Sequence, residues 1–186
     1  SVQAHFNHPR ELSTDAVREA IARIRSTGAQ IRTQSPLLRN INDNPVVWAE
    51  MWRKQVDLGC IPYYMFVARD TGSKEFFEVP LERCWKIFRR AYRSVSGLCR
   101  TVRGPSMSDH PGKVQILGVA DVKGEKVFVL RFLQARNPRW VDIPFFAKYD
   151  PKATWFNQLQ PAFDEEKFFF EEQYYKLGET KPFLFE

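Results

Sequence analysis

One nearly uniform apolar run, Ile61–Val67 with the sequence IPYYMFV, constrains the fold of this chain more than any other segment. A strand that is apolar on both faces is typical of a parallel sheet whose two sides are covered. Two more strands are predicted upstream, at Val2–Phe6 and Ile31–Leu37. The sequence therefore predicts three strands of one parallel sheet.

Helical patterns follow each of these strands. Ser13-Thr14-Asp15 offers an N-cap to a first helix, and Gly28 ends it. Asn44-Pro45 starts a second helix with proline at its first position, and a third helix starts near Pro80. Because tandem strand–helix units form parallel sheets with right-handed crossovers, the sequence predicts an α/β fold. Half of a (β/α) barrel and half of a doubly wound sheet both satisfy this pattern.

The pattern changes after Gly97. Two β-rich runs, Val114–Ala120 and Lys126–Phe132, are separated by a polar stretch that contains Gly124, which predicts an antiparallel hairpin. The aromatic-rich tail beyond the hairpin follows neither the helical nor the strand period. We therefore divide the chain into residues 1–97, which hold the strand–helix units, and residues 98–186, which hold a lysine-bearing loop, the hairpin and the tail.

Composition narrows the class of protein. The chain has 186 residues, of which 44% are hydrophobic, enough to bury the core of one globular unit. The net charge of +6 is modest, and the basic residues are dispersed, so a solvated helix face is favoured over a nucleic-acid footprint. No apolar run approaches the ~20 residues that a membrane span needs. We expect a soluble, cytoplasmic protein.

Cysteine spacing argues against a metal site. Cys60, Cys84 and Cys99 are odd in number and widely spaced, which fits neither a disulfide framework nor a zinc site. We expect buried, reduced thiols. The sequence also lacks the CxxxCxxC spacing that three ligands of a 4Fe-4S cluster need.

Three motifs occur in a fixed order: HFNHP at residues 5–9, QSPLLRNIND at residues 34–43 and PYY at residues 62–64. From His5 to about Gly118, the chain resembles the C-terminal half of the lysine 2,3-aminomutase family of radical S-adenosylmethionine (SAM) enzymes. The tail after Phe132 resembles a poorly characterised branch of that family.

The resemblance implies half of a radical SAM TIM-like barrel followed by the hairpin and the tail. It also implies an isomerase that moves an amino group between adjacent carbons of an amino acid. The implied cofactors are SAM, a 4Fe-4S cluster and pyridoxal 5'-phosphate (PLP). Because CxxxCxxC is absent, we expect the cluster ligands to lie outside this chain and the fragment to be inactive by itself.

The resemblance also assigns cofactor-binding residues. His5 and Gln34 match positions that contact SAM, and Tyr63 is expected to point into the same cleft at the strands' C-terminal ends. For an isolated histidine, the alternative is a strand-end side chain that bonds local backbone. Arg39 and Asn42 match family positions that contact the PLP phosphate or substrate, but they serve equally well as loop architecture.

Lys113, in Pro111-Gly112-Lys113, resembles the lysine that binds PLP. The alternative is a solvated lysine at a hairpin entrance. We expect Arg100 and Arg103 to disfavour the ammonium form and to hold a phosphate, whereas Asp109 opposes them by stabilising the charged amine.

Substrate contacts are expected from Asp109, Arg69 and Asp70. Asp109 matches a family aspartate only if a gap is allowed, and Ser106 takes that place otherwise. Arg69 aligns with a second family aspartate, which Asp70 reaches only by a one-residue slip. An arginine there repels a lysine side chain and can pair with a carboxylate through two hydrogen bonds.

Two other functions stay open: a barrel enzyme that uses Lys113 as a Schiff-base lysine without radical chemistry, and a non-catalytic binding module. Under the aminomutase interpretation, the partners are a small amino acid and the N-terminal half of the same enzyme. A membrane is not expected, nucleic acid is disfavoured, and a homo-oligomer is left open.

Overall fold

The computed structural model describes residues 1–69 and 72–179, and the strands in this part of the chain form one mixed sheet of seven, ordered β1 to β7. The strands are β1 (Val2–His5), β2 (Ile31–Leu37), β3 (Ile61–Val67), β4 (Arg103–Asp109), β5 (Gly112–Val122), β6 (Glu125–Ala135) and β7 (Pro144–Lys148). The α-helices are α1 (Asp15–Ser26), α2 (Pro45–Asp57), α3 (Lys74–Phe77), α4 (Leu81–Arg93) and α5 (Glu171–Glu179).

The predicted parallel strands are confirmed. β1 pairs with β2 and β2 with β3, both parallel, and the local signals place the helices as expected. Thr14 caps α1 by accepting from the Val17 N–H, and Asn44 caps α2 by accepting from the Val46 N–H. The alternation of buried residues in β2 shows that one sheet face is covered by the helices, and Thr33 on that face donates to Gln55 of α2 at 2.8 Å.

The sequence did not predict β4, a fourth parallel strand. Its sequence, RGPSMSD, carries glycine, proline and serine, residues with low strand propensity. It pairs with β3 in parallel and with β5 in antiparallel fashion. The neighbouring strands β3 and β5 supply the hydrogen bonds that keep β4 extended. A local sequence pattern cannot reveal this pairing.

The predicted antiparallel hairpin is confirmed, with longer strands than expected. β5 and β6 pair from Gly112 to Ala135 around a turn at Lys123-Gly124, where φ is 51° and 82°. Lys113 therefore belongs to strand β5 and not to a loop before it, because Ser108 of β4 and Gln134 of β6 flank it on either side. The tail, which had no clear period, forms β7 and α5.

The buried hydrophobic residues form one cluster with two regions. One lies between the sheet and the helices and includes Trp48, Trp52 and Leu81. The other is an aromatic cluster that joins β6 and β7 to the tail; its members are Phe132, Trp140, Phe145, Phe156, Phe168 and Phe170. None of the described helices is long and apolar enough to cross a membrane.

The prediction of buried, unpaired cysteines is confirmed. Cys60, Cys84 and Cys99 are free thiols, each at most 3% exposed. Burial raises the pKa of the Cys84 thiol to about 12, so it stays protonated at neutral pH.

Candidate functional site

The face of the sheet opposite the helices carries polar residues in register. Gln34 of β2 lies between His5 of β1 and Tyr64 of β3. Farther along the sheet, Ser108 of β4 pairs with Lys113 of β5. Because side chains alternate along a strand, these registers bring residues from five strands to one surface.

A cavity of about 480 Å³ opens where β1 to β4 end. Its polar and charged lining residues include His5, Gln34, Arg69, Ser106 and Ser108, and Trp155 of the tail closes one side. Among the described lining residues there is no aspartate or glutamate. The cavity therefore combines mostly apolar walls with a few polar groups, and the charged groups among its described lining residues are cationic.

His5 and Gln34 lie together in this cavity. Gln34 Oε1 accepts from Gln3 Nε2 at 2.8 Å, which fixes the amide and aims its NH₂ group away from Gln3. Within the described part of the chain, the His5 ring makes no hydrogen bond, so it keeps both its donor and its acceptor for a ligand.

Tyr63 is not part of the cavity lining. A register shift after Thr33 pairs Gln34 with Tyr64, and Tyr63 lies lower on the sheet. Its ring lies between two guanidinium groups, with Arg32 at 4.8 Å and Arg103 at 5.1 Å from the ring centroid. The expectation that Tyr63 lies at the C-terminal end of its strand is therefore wrong, because it is the third residue of β3 and the strand ends only at Val67.

Lys113 lies beside the cavity on the same face. Its Nζ is 4.0 Å from the ring centroid of Tyr64 and 5.2 Å from that of Phe66. Burial lowers the pKa of the Lys113 amine; Tyr63 opposes that shift, and Arg103 and Arg69 add to it. The neutral amine is thus more accessible here than on an ordinary exposed lysine.

The expected neighbours of Lys113 are only partly correct. Arg103 acts on it, but Arg100 points to the helix side, where its Nε donates to the Val95 carbonyl at 3.0 Å and its guanidinium lies over Tyr92. Asp109 was expected to stabilise the ammonium form. Instead, its carboxylate accepts from the Trp155 indole N–H at 3.1 Å, and it is not among the groups that shift the lysine pKa.

Tyr64 contributes an unpaired polar atom next to Lys113. Its side chain is 5% exposed, and its hydroxyl has no hydrogen-bond partner among the described residues. A buried hydroxyl without a partner is costly, so a bound water or a polar group of a ligand would stabilise it here.

The three substrate candidates fall in different places. Arg69 lines both the main cavity and an adjoining one of about 460 Å³, and Asp109 lines only the second. Asp70 lies outside the residues that the structure describes.

The geometry of the 38–44 loop depends on Asn42. This side chain is 1% exposed; its Oδ1 accepts from the Leu38 N–H, and its Nδ2 donates to the Asn7 and Pro36 carbonyls. These bonds favour loop architecture, one of its two expected roles. Arg39 donates to the Glu75 carbonyl at 3.4 Å and is not a lining residue of the main cavity.

The residues present fit two of the three expected cofactors. An amine of lowered pKa, an unpaired Tyr64 hydroxyl and the Arg103 guanidinium suit the carbonyl carbon, polar ring groups and phosphate of PLP. His5 and Gln34 suit the hydroxyls and carboxylate of SAM without adding net charge. For the cluster, the described residues include no group of three or more His, Cys, Asp or Glu that could hold a metal.

Several residues of the site were missed. Ser108, Phe66 and Trp155 line the cavity, and none was a candidate from sequence. Ser108 required recognition of β4, and Trp155 arrives from the tail by tertiary contact alone. Phe66 could have been found from its spacing two residues beyond Tyr64 on the same face of β3.

Comparisons with known proteins give a consistent picture. The chain is 33% identical over 163 residues to a protein of Aquifex aeolicus (strain VF5) named "Putative L-lysine 2,3-aminomutase", covering 88% of this chain and 42% of that protein. It is 30% identical over 112 residues to the L-lysine 2,3-aminomutase of Escherichia coli (strain K12), covering 60% of this chain and 32% of the enzyme. It is 31% identical over 98 residues to that of Clostridium subterminale, covering 53% of this chain and 23% of the enzyme.

No family model matches the chain. The chain spans less than half the length of each of these curated relatives. Because the relatives share one name and the first of them aligns with most of this chain, the chain is related to the lysine 2,3-aminomutase family.

Proposed function

We propose that this chain is the C-terminal part of a radical SAM, PLP-dependent 2,3-aminomutase, an isomerase that moves an amino group between adjacent carbons of an amino acid. One observation carries the proposal: His5 and Gln34 share a cavity next to Lys113, whose amine has a lowered pKa. The names of the relatives support the reaction class.

In this proposal, His5 and Gln34 orient SAM by hydrogen bonds to its polar groups. When bound, SAM and a cluster would supply the radical chemistry, and PLP would carry the migrating amino group. Lys113 holds PLP through its neutral amine, and Arg103 binds the phosphate. Trp155 and Phe66 exclude water from the cavity.

The architecture follows from the same proposal. The parallel strands β1 to β4 are half of a radical SAM barrel, and the missing N-terminal half carries the cluster ligands. We keep the division into residues 1–97 and 98–186 as a proposal, although one sheet crosses that boundary. A cytoplasmic location is part of the same proposal.

Covalent capture tests the role of Lys113. The chain is incubated with PLP, reduced with borohydride and mapped by peptide mass spectrometry. We expect the reduced cofactor on Lys113, and its loss in Lys113→Ala. Lys152→Ala, at an exposed lysine, is the matched control and should label as the unsubstituted chain does.

Turnover tests the reaction class. The full-length protein, reconstituted with iron and sulfide, should form 5'-deoxyadenosine when supplied with SAM, a reductant and an amino acid. Lys113→Ala should prevent amino-group migration while leaving reductive cleavage of SAM in place. Capture at Lys113 without any 5'-deoxyadenosine would favour the Schiff-base lysine enzyme without radical chemistry.

A further inference from the structure

Arg69 lies where the two cavities of the site meet. It follows β3 by two residues and lines both the cavity of about 480 Å³ and the adjoining one of about 460 Å³. Within residues 1–69 and 72–179, its guanidinium makes no hydrogen bond or ion pair. Arg69 is exposed, so its guanidinium is accessible to a ligand that enters either cavity.

The charged groups among the described residues that line the two cavities favour an anion. The described lining of the main cavity has no carboxylate, whereas the adjoining cavity has Asp109 against Arg69 and Arg136. Asp109 already accepts from the Trp155 indole N–H and from the His110 N–H, at 3.1 and 2.7 Å. Among the described lining residues of the adjoining cavity, one carboxylate is present with two guanidiniums, Arg69 and Arg136.

Arg69 and Arg103 occupy different places in the site: Arg103 lies over the Tyr63 ring, whereas Arg69 lines the main cavity. Both guanidiniums act on the Lys113 amine, and Arg103 acts more strongly. A group bound close to that amine, such as a phosphate or an α-carboxylate, is therefore better placed for Arg103. Because Arg69 lines the main cavity and Arg103 does not, a group that reaches Arg69 is the part of a substrate that extends into that cavity.

We infer that the substrate is an amino acid whose side chain ends in a carboxylate, and that Arg69 pairs with that carboxylate and sets the specificity. The inference rests on the proposed function for the reaction, and on the cavity for the substrate class. A guanidinium and a carboxylate form two parallel hydrogen bonds, a geometry that an ammonium cannot match.

The same observations argue against lysine. Two of the relatives carry the name L-lysine 2,3-aminomutase, and a lysine side chain ends in a cation. In this chain, that cation would face Arg69 in a cavity where no described lining residue is an acid. Like charges in such a site repel, and substrates are rejected by this repulsion.

Binding of simple probes tests the inference without turnover. Glutarate, 1,5-diaminopentane and inorganic phosphate are titrated by calorimetry into the unsubstituted chain, Arg69→Gln and Arg139→Gln. Arg139 is exposed and lines neither cavity, so this control removes one arginine charge elsewhere. We expect glutarate to bind, Arg69→Gln to weaken it about tenfold, and Arg139→Gln to change it by less than about twofold.

Three binding results would overturn the inference. If glutarate does not bind, or binds Arg69→Gln as tightly as the unsubstituted chain, the chain has no carboxylate site that depends on Arg69. If 1,5-diaminopentane binds as tightly as glutarate, the cavity does not select anions over cations. Phosphate that binds more tightly than glutarate and depends on Arg69 makes this a phosphate site.

Turnover separates this inference from the proposed function. The reconstituted full-length enzyme should prefer glutamate to lysine, and Arg69→Asp should reverse that preference. An enzyme that rearranges lysine in preference to glutamate keeps the proposed function and overturns the inference. Arg69-dependent glutarate binding with no amino-group migration from any amino acid keeps the carboxylate site and overturns the proposed function.

Discussion

The surroundings of Lys113 disfavour the charged form of its amine. Burial is the main reason that its pKa is lowered, with Arg103 and Arg69 adding to the effect. An unfolded chain restores the ordinary lysine pKa of about 10.4. Between the lowered folded-state pKa and that value, the unfolded state binds more protons than the folded state does.

This difference predicts how stability depends on pH. Since the unfolded state holds the extra proton, the free energy of unfolding should rise as pH increases through that alkaline window. Lys113→Met removes the titrating group and should flatten this part of the pH profile, measured by urea unfolding. Lys152→Met, at an exposed lysine, should leave the profile unchanged. An equal slope in the Lys113 variant would contradict the lowered pKa.

Asn42 gives a second prediction at the scale of single residues. Its buried amide joins Leu38, Pro36 and Asn7 by three hydrogen bonds. Asn42→Ala leaves those backbone groups unpaired and should lower the free energy of unfolding by about 3 kcal/mol. Asn44→Ala, which removes only the N-cap of α2, should cost about 1 kcal/mol. Equal costs would show that Asn42 does not hold the loop.

The elements around Lys113 depend on a close approach of two strands. A Cβ at Gly112 would lie 2.3 Å from the Gln134 carbonyl oxygen and 2.8 Å from the Ala135 Cα. Both atoms are backbone, so β6 would have to move away from β5. This contact, rather than loop flexibility, explains why glycine precedes the lysine.

Gly112→Ala should therefore disturb the site and the sheet together. We expect the free energy of unfolding to fall by about 1–3 kcal/mol and PLP capture at Lys113 to decrease. Gly97→Ala is the matched control, because a Cβ there meets nothing within 4 Å. If Gly112→Ala were as stable and as reactive as the control, the close approach would not position Lys113.

At the scale of the whole molecule, the tail is fixed to the sheet by aromatic contacts. Phe170 is 3% exposed and contacts the rings of Phe132 and Phe145, whereas the neighbouring Phe169 is 45% exposed. The same segment brings Trp155 to the edge of the cavity. Stability of the tail and shape of the site are thus linked.

Adjacent phenylalanines allow a direct test of this arrangement. Phe170→Ala should lower the free energy of unfolding by about 3–5 kcal/mol, because it opens a cavity in the aromatic cluster. Phe169→Ala should cost less than about 1.5 kcal/mol, since much of that ring is already in water. Thermal and urea unfolding measure the stability of both variants. Similar decreases in the free energy of unfolding would mean that the aromatic cluster does not hold the tail against the sheet.

The sequence by itself determined the three parallel strands, the helix starts at Thr14 and Asn44, the β5–β6 hairpin and the buried cysteines. Each depends on local features: apolar periodicity, caps and turns act over a few residues. The motif also indicated His5 and Gln34, which the structure places in one cavity although Gln34 precedes the end of β2 by three residues; their cofactor roles stay predictions.

Only the tertiary structure decided the rest. β4 has few strand-forming residues and is held in place by pairing with its two neighbouring strands. The register shift after Thr33 places Tyr63 below the cavity. Trp155, a residue of the tail, lines the cavity. The Arg100 side chain lies on the helix side of the sheet, and Arg69 lies where the two cavities meet. These outcomes depend on pairings between residues far apart in the chain, which contribute nothing to local sequence patterns until the sheet has formed.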